Sequence, residues 1–127
     1  MDYQTVRTES GARNEHRDCA VVATSLVTGT PYNQVHNIMK KFGRKTGKGT
    51  PWHIIENTLR ELGYQMCEQP FSDKTVRTFE RNDRRVFPML IRVRGHVLAS
   101  VRGKVQDWTQ GRCHRILAVY KIKQKTP

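Results

Sequence analysis

The sequence predicts an α+β domain in which a helical half precedes a small antiparallel sheet. Apolar residues recur at helical spacing up to Gly63, they alternate with polar residues from Val86 onward, and the two patterns do not interleave. At this length we expect a single domain over residues 1–127. Its helical half is predicted at 18–63 and its sheet at 86–123.

The first helix of the helical half is predicted to begin at an Asp-Cys pair. Residues 1–17 are polar and are expected to be irregular. Asp18 is expected to be the N-cap of a helix that runs from Cys19 to Thr28. This segment is apolar nearly all round, which is typical of a helix buried in the centre of a domain. Gly29 is expected to end it.

Two more helices are predicted before the sheet. One spans Pro31 to Phe42, and its proline suits the first turn. The other has Thr50 as its N-cap and Pro51 at its first position, and it ends before Gly63. Each helix carries one apolar stripe, as expected of a helix that packs against a core on one side.

The remainder of the chain is predicted to be mostly strand. A short strand at Tyr64–Cys67 and a short helix at Asp73–Arg81 precede the alternating segment that starts at Val86. Alternation of apolar and polar residues is typical of antiparallel strands with one buried face.

One predicted hairpin, residues 96–109, carries a histidine and an aspartate. The pair Arg102-Gly103 suits a type I′ turn. With that turn, His96 and Asp107 project from the same face as diagonal neighbours, with backbones about 7–8 Å apart. If the turn lies one residue later, the two side chains still share a face but lie further apart.

A cysteine, a histidine and an aspartate in this order are suited to nucleophilic catalysis. Cys19 is predicted at the start of a helix, where unpaired N–H groups favour the thiolate, the reactive form. His96 could accept the thiol proton, and Asp107 could orient the imidazole ring. The alternative is an inert core cysteine and a histidine with an ordinary polar partner. The distance between the two side chains in the folded chain decides between these interpretations.

Two motifs resemble those of papain-like cysteine peptidases, in particular the C39-like, bacteriocin-processing type. The first is DCAVVATSLVTG, which resembles the nucleophile helix. The second is GHVLASVRGKVQDW, which resembles a Gly-His strand followed by a strand that ends in the orienting aspartate. The sequence between them is similar to small phage and bacterial proteins of this kind.

The resemblance implies a papain-like fold with the cysteine-bearing helix packed on the sheet. It assigns Cys19 as nucleophile, His96 as base and Asp107 as the orienting acid. Family members place a glutamine about six residues before the cysteine as an oxyanion donor, where this chain has Arg13. Asn14, one residue closer, is the candidate donor here.

The implied function is a thiol hydrolase or acyl-transfer enzyme acting on a peptide, isopeptide or amide bond of a protein or peptide. Deamidation and transamidation are also open, because the same three residues serve each reaction. The alternative is a papain-like module of weak or no activity that binds an acidic protein or nucleic acid through its basic surface.

The charge of the chain favours an anionic partner. Its 23 Lys and Arg residues outnumber its 11 Asp and Glu residues, which leaves a net charge of +12. Such an excess attracts nucleic acid or acidic proteins, although a solvated basic face is the simpler interpretation. The densest basic stretch, which we predict as a binding loop, comprises Lys40, Lys41, Arg44, Lys45 and Lys48.

The sequence also argues against several classes of protein. It has no apolar run long enough to span a membrane, and its polar start does not resemble a signal peptide. Three widely spaced cysteines favour a reducing compartment, such as the cytoplasm of a cell or of an infected host. The Cys113-His114 pair matches no zinc-binding spacing, so we expect neither a metal nor another cofactor.

Overall fold

In a computed structural model of the chain, the structure describes residues 1–12 and 17–125, and these form an α+β fold. The predicted fold class is therefore confirmed. No helix among these residues is long and apolar enough to cross a membrane. The elements, in chain order, are α1 (Tyr3–Ala12), α2 (Cys19–Thr28), α3 (Tyr32–Lys41), α4 (Trp52–Glu61), β1 (Tyr64–Gln69), α5 (Val76–Asn82), β2 (Met89–Val93), β3 (His96–Val101), β4 (Lys104–Gln106) and β5 (Ile116–Gln124).

The strands form one five-stranded antiparallel sheet in the order β1-β5-β2-β3-β4. Successive residues of a strand face opposite sides, and here both sides are covered. On one side, Leu90 and Val97 face the larger core, which the sheet shares with α1 to α4. On the other side, Met89 and Leu98 face a second core beneath α5. The central strands are therefore buried on both faces, which explains their continuous apolar runs.

Helix α2 lies at the centre of the larger core. All eight residues from Ala20 to Val27 are buried, as the apolar sequence predicts. The helix packs against β3 and against α1 and α3. Gly29 ends it in the left-handed conformation, with φ of 68°. This packing places the first residue of α2, Cys19, beside the first residue of β3, His96.

The prediction that residues 1–17 are irregular is wrong, because residues 3–12 form α1. The helix is stabilised by tertiary contacts rather than by an apolar stripe. Val6 is fully buried in the core, and the backbone N–H of Tyr3 donates to the side chain of Gln106 at 3.0 Å. A polar helix with one buried apolar residue has no periodicity that sequence analysis can detect.

Of the two predicted helix N-caps, Asp18 is confirmed in position and Thr50 is wrong. Asp18 occupies the N-cap position of α2, but its carboxylate makes no capping hydrogen bond. The N-cap of α4 is Pro51 rather than Thr50. The Thr50 hydroxyl instead accepts a hydrogen bond from Nε of Arg44 at 2.9 Å. In both places, a tertiary partner uses the side chain that was predicted to cap the helix.

Candidate active site

The hairpin of β3 and β4 has the register that the tight turn predicts. Arg102 and Gly103 both have positive φ, 56° and 80°, as a type I′ turn requires. Val101 pairs with Lys104. The predicted second strand is too long, however, because β4 ends at Gln106 and the chain then turns.

Asp107 begins that turn and organises it. Its Oδ2 atom accepts hydrogen bonds from the N–H of Thr109 at 3.0 Å and from the Thr109 hydroxyl at 2.6 Å. The same oxygen lies 2.9 Å from Nε2 of His96. With only 9% of its surface exposed, Asp107 is held in one orientation, and it holds the imidazole in turn.

The indole of Trp108 covers the outer side of the histidine. The centroid of the indole lies 5.1 Å from that of the His96 ring. The guanidinium of Arg112 lies over the indole, 5.6 Å from its centroid. Trp108 is 50% exposed, so it is not a core aromatic residue. It is placed to limit the access of water to the hydrogen bond between His96 and Asp107.

Cys19 lies beside the imidazole, and both residues line the same two cavities. Its thiol is close enough to the His96 ring and to the backbone N–H of Val97 for both groups to lower its pKa. Because Nε2 of His96 is engaged by Asp107, the nitrogen that faces the thiol is Nδ1. The structure therefore brings together Cys19, His96 and Asp107 as predicted.

These contacts change the pKa values of both reacting groups. Burial alone raises the pKa of Cys19, but the hydrogen bonds from His96 and Val97 and the positive charge of His96 outweigh it, so the net pKa is lowered. Burial lowers the pKa of His96, whereas its bonds to Asp107 and Cys19 raise it, to about 9. Both shifts favour the form of the pair in which a thiolate lies beside an imidazolium.

A buried polar cluster fixes the residue before Cys19. Asp18 is only 4% exposed, and its carboxylate accepts hydrogen bonds from the hydroxyls of Ser10 and of Tyr32, the latter at 2.8 Å. The guanidinium of Arg7 lies 3.5 Å from it. These contacts join α1 and α3 to the start of α2, and they hold the backbone of Cys19 in place.

Two cavities meet at the reacting pair. The larger cavity, of about 660 Å³, and the smaller cavity, of about 350 Å³, both include Cys19 and His96 in their walls. The larger cavity is also lined by Tyr3, Arg7, Arg17 and Trp108. The smaller cavity is also lined by Thr50, Trp52, Ile55 and Arg92. A molecule bound beside the thiol can therefore occupy either cavity or both.

One member of the predicted basic loop is not a surface residue. Arg44 is 4% exposed, and besides its bond to Thr50 it donates to the carbonyl of Arg17 at 3.4 Å. The prediction that it binds a partner is wrong, because its guanidinium is used inside the protein. The other four members of the loop are exposed: Lys40, Lys41, Lys45 and Lys48. Of these, Lys41 forms an ion pair with Glu61.

Two further predictions concern an oxyanion donor and metal binding. Asn14 lies outside the described residues. Within residues 1–12 and 17–125, no group of three or more histidine, cysteine or carboxylate side chains is placed to hold a metal ion. Cys19, Cys67 and Cys113 are free thiols.

The walls of the cleft were not predicted from the sequence. Arg17 precedes the nucleophile by two residues and Arg92 precedes His96 by four, so proximity along the chain was the available signal. Tyr3 and Trp52 carried no such signal, because they reach the cleft only through the packing of α1 and α4.

The site has the groups that thiol-dependent acyl chemistry needs. It combines a nucleophile of lowered pKa, a histidine that can carry a proton, and a buried carboxylate that orients the ring. Comparison of the chain with protein-family models, curated proteins and solved structures found no match. The interpretation of the site therefore depends on its own geometry.

Proposed function

We propose that this chain is a papain-like cysteine hydrolase or acyl-transfer enzyme that acts on a peptide, isopeptide or amide bond. The observation that carries the proposal is the line of contacts from Cys19 through His96 to Asp107. A structural cysteine in a core has no need of a histidine oriented by a buried carboxylate. The arrangement is suited to forming a thiolate and then protonating a leaving group.

The reaction begins with attack of the Cys19 sulfur on the carbonyl carbon, which forms a C–S bond and places the carbonyl electron pair on oxygen. The first N–H groups of α2 are available to the oxyanion, and Asn14 is the proposed further donor. Collapse breaks the C–N bond, and Nδ1–H of His96 protonates the departing amine. The products of this half-reaction are a thioester and a free amine.

The second half-reaction depends on the acceptor. Water or an amine attacks the thioester, neutral His96 takes its proton at Nδ1, and the thiolate of Cys19 departs. Water as acceptor gives hydrolysis or, for a glutamine side chain, deamidation. An amine as acceptor gives transamidation. Asp107 keeps its hydrogen bond to the ring and stabilises the imidazolium.

The first experiment measures the reactivity of the thiol. In a Cys67→Ser/Cys113→Ser protein, Cys19 is the only thiol, and its alkylation by iodoacetamide is followed by mass spectrometry as a function of pH. We expect alkylation to remain fast at about pH 6, and His96→Gln to shift the profile toward that of an ordinary thiol. A profile that follows an ordinary thiol in both proteins contradicts the proposal.

The second experiment measures turnover. The protein is incubated with a defined mixture of peptides, and mass spectrometry detects new termini, deamidated glutamine or cross-linked products. We expect at least one of these changes with the wild-type protein and none with Cys19→Ala. A change that persists in Cys19→Ala has another source and opposes the proposal.

The basic surface favours one further candidate function, a module that binds an acidic protein or nucleic acid. The net charge of +12 and the exposed Lys40, Lys45 and Lys48 are the observations in its favour. Binding that depends on phosphate contacts weakens as salt is added. A flat dependence of log K on log salt for DNA and RNA opposes the nucleic-acid form of this candidate.

A further inference from the structure

Each cavity beside Cys19 contains an arginine that no carboxylate within residues 1–12 and 17–125 neutralises. In the larger cavity this residue is Arg17, and in the smaller cavity it is Arg92. Across the described parts of the chain, neither forms an ion pair. Arg7, also in the larger cavity, differs because its guanidinium lies against Asp18.

Arg17 is presented to the larger cavity by a backbone that the fold holds in place. Its φ is 56°, in the left-handed region that side chains other than glycine rarely adopt. The buried Arg44 donates to its carbonyl at 3.4 Å, while the side chain of Arg17 is exposed. A strained conformation next to a nucleophile is typical of a functional segment.

Arg92 is presented to the smaller cavity by an aromatic platform. Its guanidinium lies over the ring of Trp52 at 5.4 Å, and Trp52 in turn packs against Tyr120 with ring centroids 5.1 Å apart. Stacking orders the guanidinium but leaves its N–H edge able to bind a carboxylate. No acidic residue is among the described residues that line this cavity.

We propose that the cleft binds an acidic polypeptide, with one carboxylate on each side of the bond that faces Cys19. Arg17 binds the carboxylate in the larger cavity, and Arg92 binds the other. This inference rests on the proposed function, because it assumes that the bond held between the two carboxylates is the one that Cys19 attacks. The overall charge of +12 attracts such a substrate and accelerates its encounter with the cleft.

A polypeptide suits this cleft better than a nucleic acid does. The smaller cavity has apolar walls from Trp52, Ile55 and Val97, which fit the carbon chain of an amino-acid side chain. The two cations line different cavities, which share Cys19 and His96, whereas a phosphate backbone is bound by a continuous row of cations. The proposed reaction also requires a carbonyl carbon for the Cys19 sulfur to attack.

The test measures how well ligands protect Cys19 from iodoacetamide in the Cys67→Ser/Cys113→Ser protein. Three probes are compared: a capped peptide that alternates Glu and Ala, the same peptide with Gln in place of Glu, and oligo(dT). We expect the Glu peptide to protect best, and salt to weaken its protection. Protection is measured at about pH 8, where an ordinary thiol also reacts.

Three variants assign the carboxylate contacts. Arg17→Gln and Arg92→Gln should each weaken protection by the Glu peptide by about threefold to tenfold, and Arg17→Lys should retain part of it. The control is Lys123→Gln, which removes one exposed charge from β5, outside both cavities, and should leave protection unchanged.

The outcomes separate the two proposals. The acidic-substrate inference is overturned, and the proposed enzyme is not, if the Glu and Gln peptides protect Cys19 equally. It is also overturned if the Glu peptide protects Cys19 in Arg17→Gln and Arg92→Gln as well as it does in the parent protein. Stronger protection by oligo(dT) than by the Glu peptide overturns it in favour of nucleic acid. The proposed enzyme itself fails on the separate observation that Cys19 alkylates as an ordinary thiol.

Discussion

Nε2 of His96 lies 2.9 Å from Oδ2 of Asp107, which leaves the other ring nitrogen to face Cys19. The same carboxylate oxygen also accepts two hydrogen bonds from Thr109, so the acid cannot rotate away from the histidine without losing them. The orientation of the imidazole is therefore set by the turn that follows β4.

Replacing the orienting acid should lower the pKa of the histidine. Asp107→Asn keeps the shape of the side chain but removes the charge that stabilises the imidazolium, so the pKa of His96 should fall from about 9 by about one unit or more. NMR titration of the His96 ring measures this. In the control Asp83→Asn, which breaks the ion pair with Arg85 instead, the pKa of His96 should not change.

The raised pKa of His96 should also make stability depend on pH. Protonation of His96 is favoured in the folded protein, so it stabilises the fold. This contribution to the free energy of unfolding is complete below the unfolded pKa of 6.5 and is lost as the pH rises through the folded pKa of about 9. The lowered pKa of Cys19 acts in the opposite direction, because its contribution is lost as the pH falls. Cys19→Ser removes that opposing contribution, and Asp107 should still hold the pKa of His96 above 6.5.

Urea denaturation of Cys19→Ser at a series of pH values tests this linkage. Relative to Cys19→Ser/His96→Gln, its free energy of unfolding should decrease as the pH rises above 6.5, by about 1.4 kcal/mol for each unit of pKa shift that remains. A difference between the two proteins that stays constant with pH contradicts the assigned direction.

Removing the buried guanidinium should destabilise the cleft. Arg44→Met leaves the Thr50 hydroxyl and the Arg17 carbonyl without their donor, and we expect a loss of about 1.5–3 kcal/mol in the free energy of unfolding. The matched control is Lys48→Met, which changes an exposed residue of the same loop and should alter stability by less than about 0.5 kcal/mol. Chemical denaturation compares the two.

The Asp18 cluster should respond to loss of a single hydroxyl. Tyr32→Phe removes one of the hydrogen bonds to a buried carboxylate, which should cost about 1–3 kcal/mol in the free energy of unfolding. In Tyr120→Phe, the hydroxyl that is lost bonds to no described group, so little change is expected. Equal stability of both variants contradicts the role of Asp18 in joining α1 and α3 to α2.

Much of the hairpin could be predicted because its determinants are local. A type I′ turn at Arg102-Gly103 fixes the register of β3 and β4, whereas Asp107 lies just beyond β4 and reaches His96 through the turn that follows. The buried helix α2 could be predicted for the same reason, since its apolar residues and its terminal Gly29 are signals contained within a dozen positions.

Other features depend on residues far apart in the sequence. Helix α1, the burial of Arg44 and the use of Asp18 as a hydrogen-bond acceptor all arise from partners on other elements, so signals from near neighbours in the chain did not predict them. The same holds for Arg17 and Arg92, which become walls of one cleft only when α2 packs on β3.

The sequence by itself determined the α+β class, the helix that begins at Cys19 and the register of the hairpin that begins at His96. Only the tertiary structure decided that the thiol contacts the imidazole, because that contact joins residues 77 positions apart through the packing of α2 against β3. Helix and strand patterns are set by near neighbours in the chain. The distance between two elements is set instead by which side chains fill the core between them.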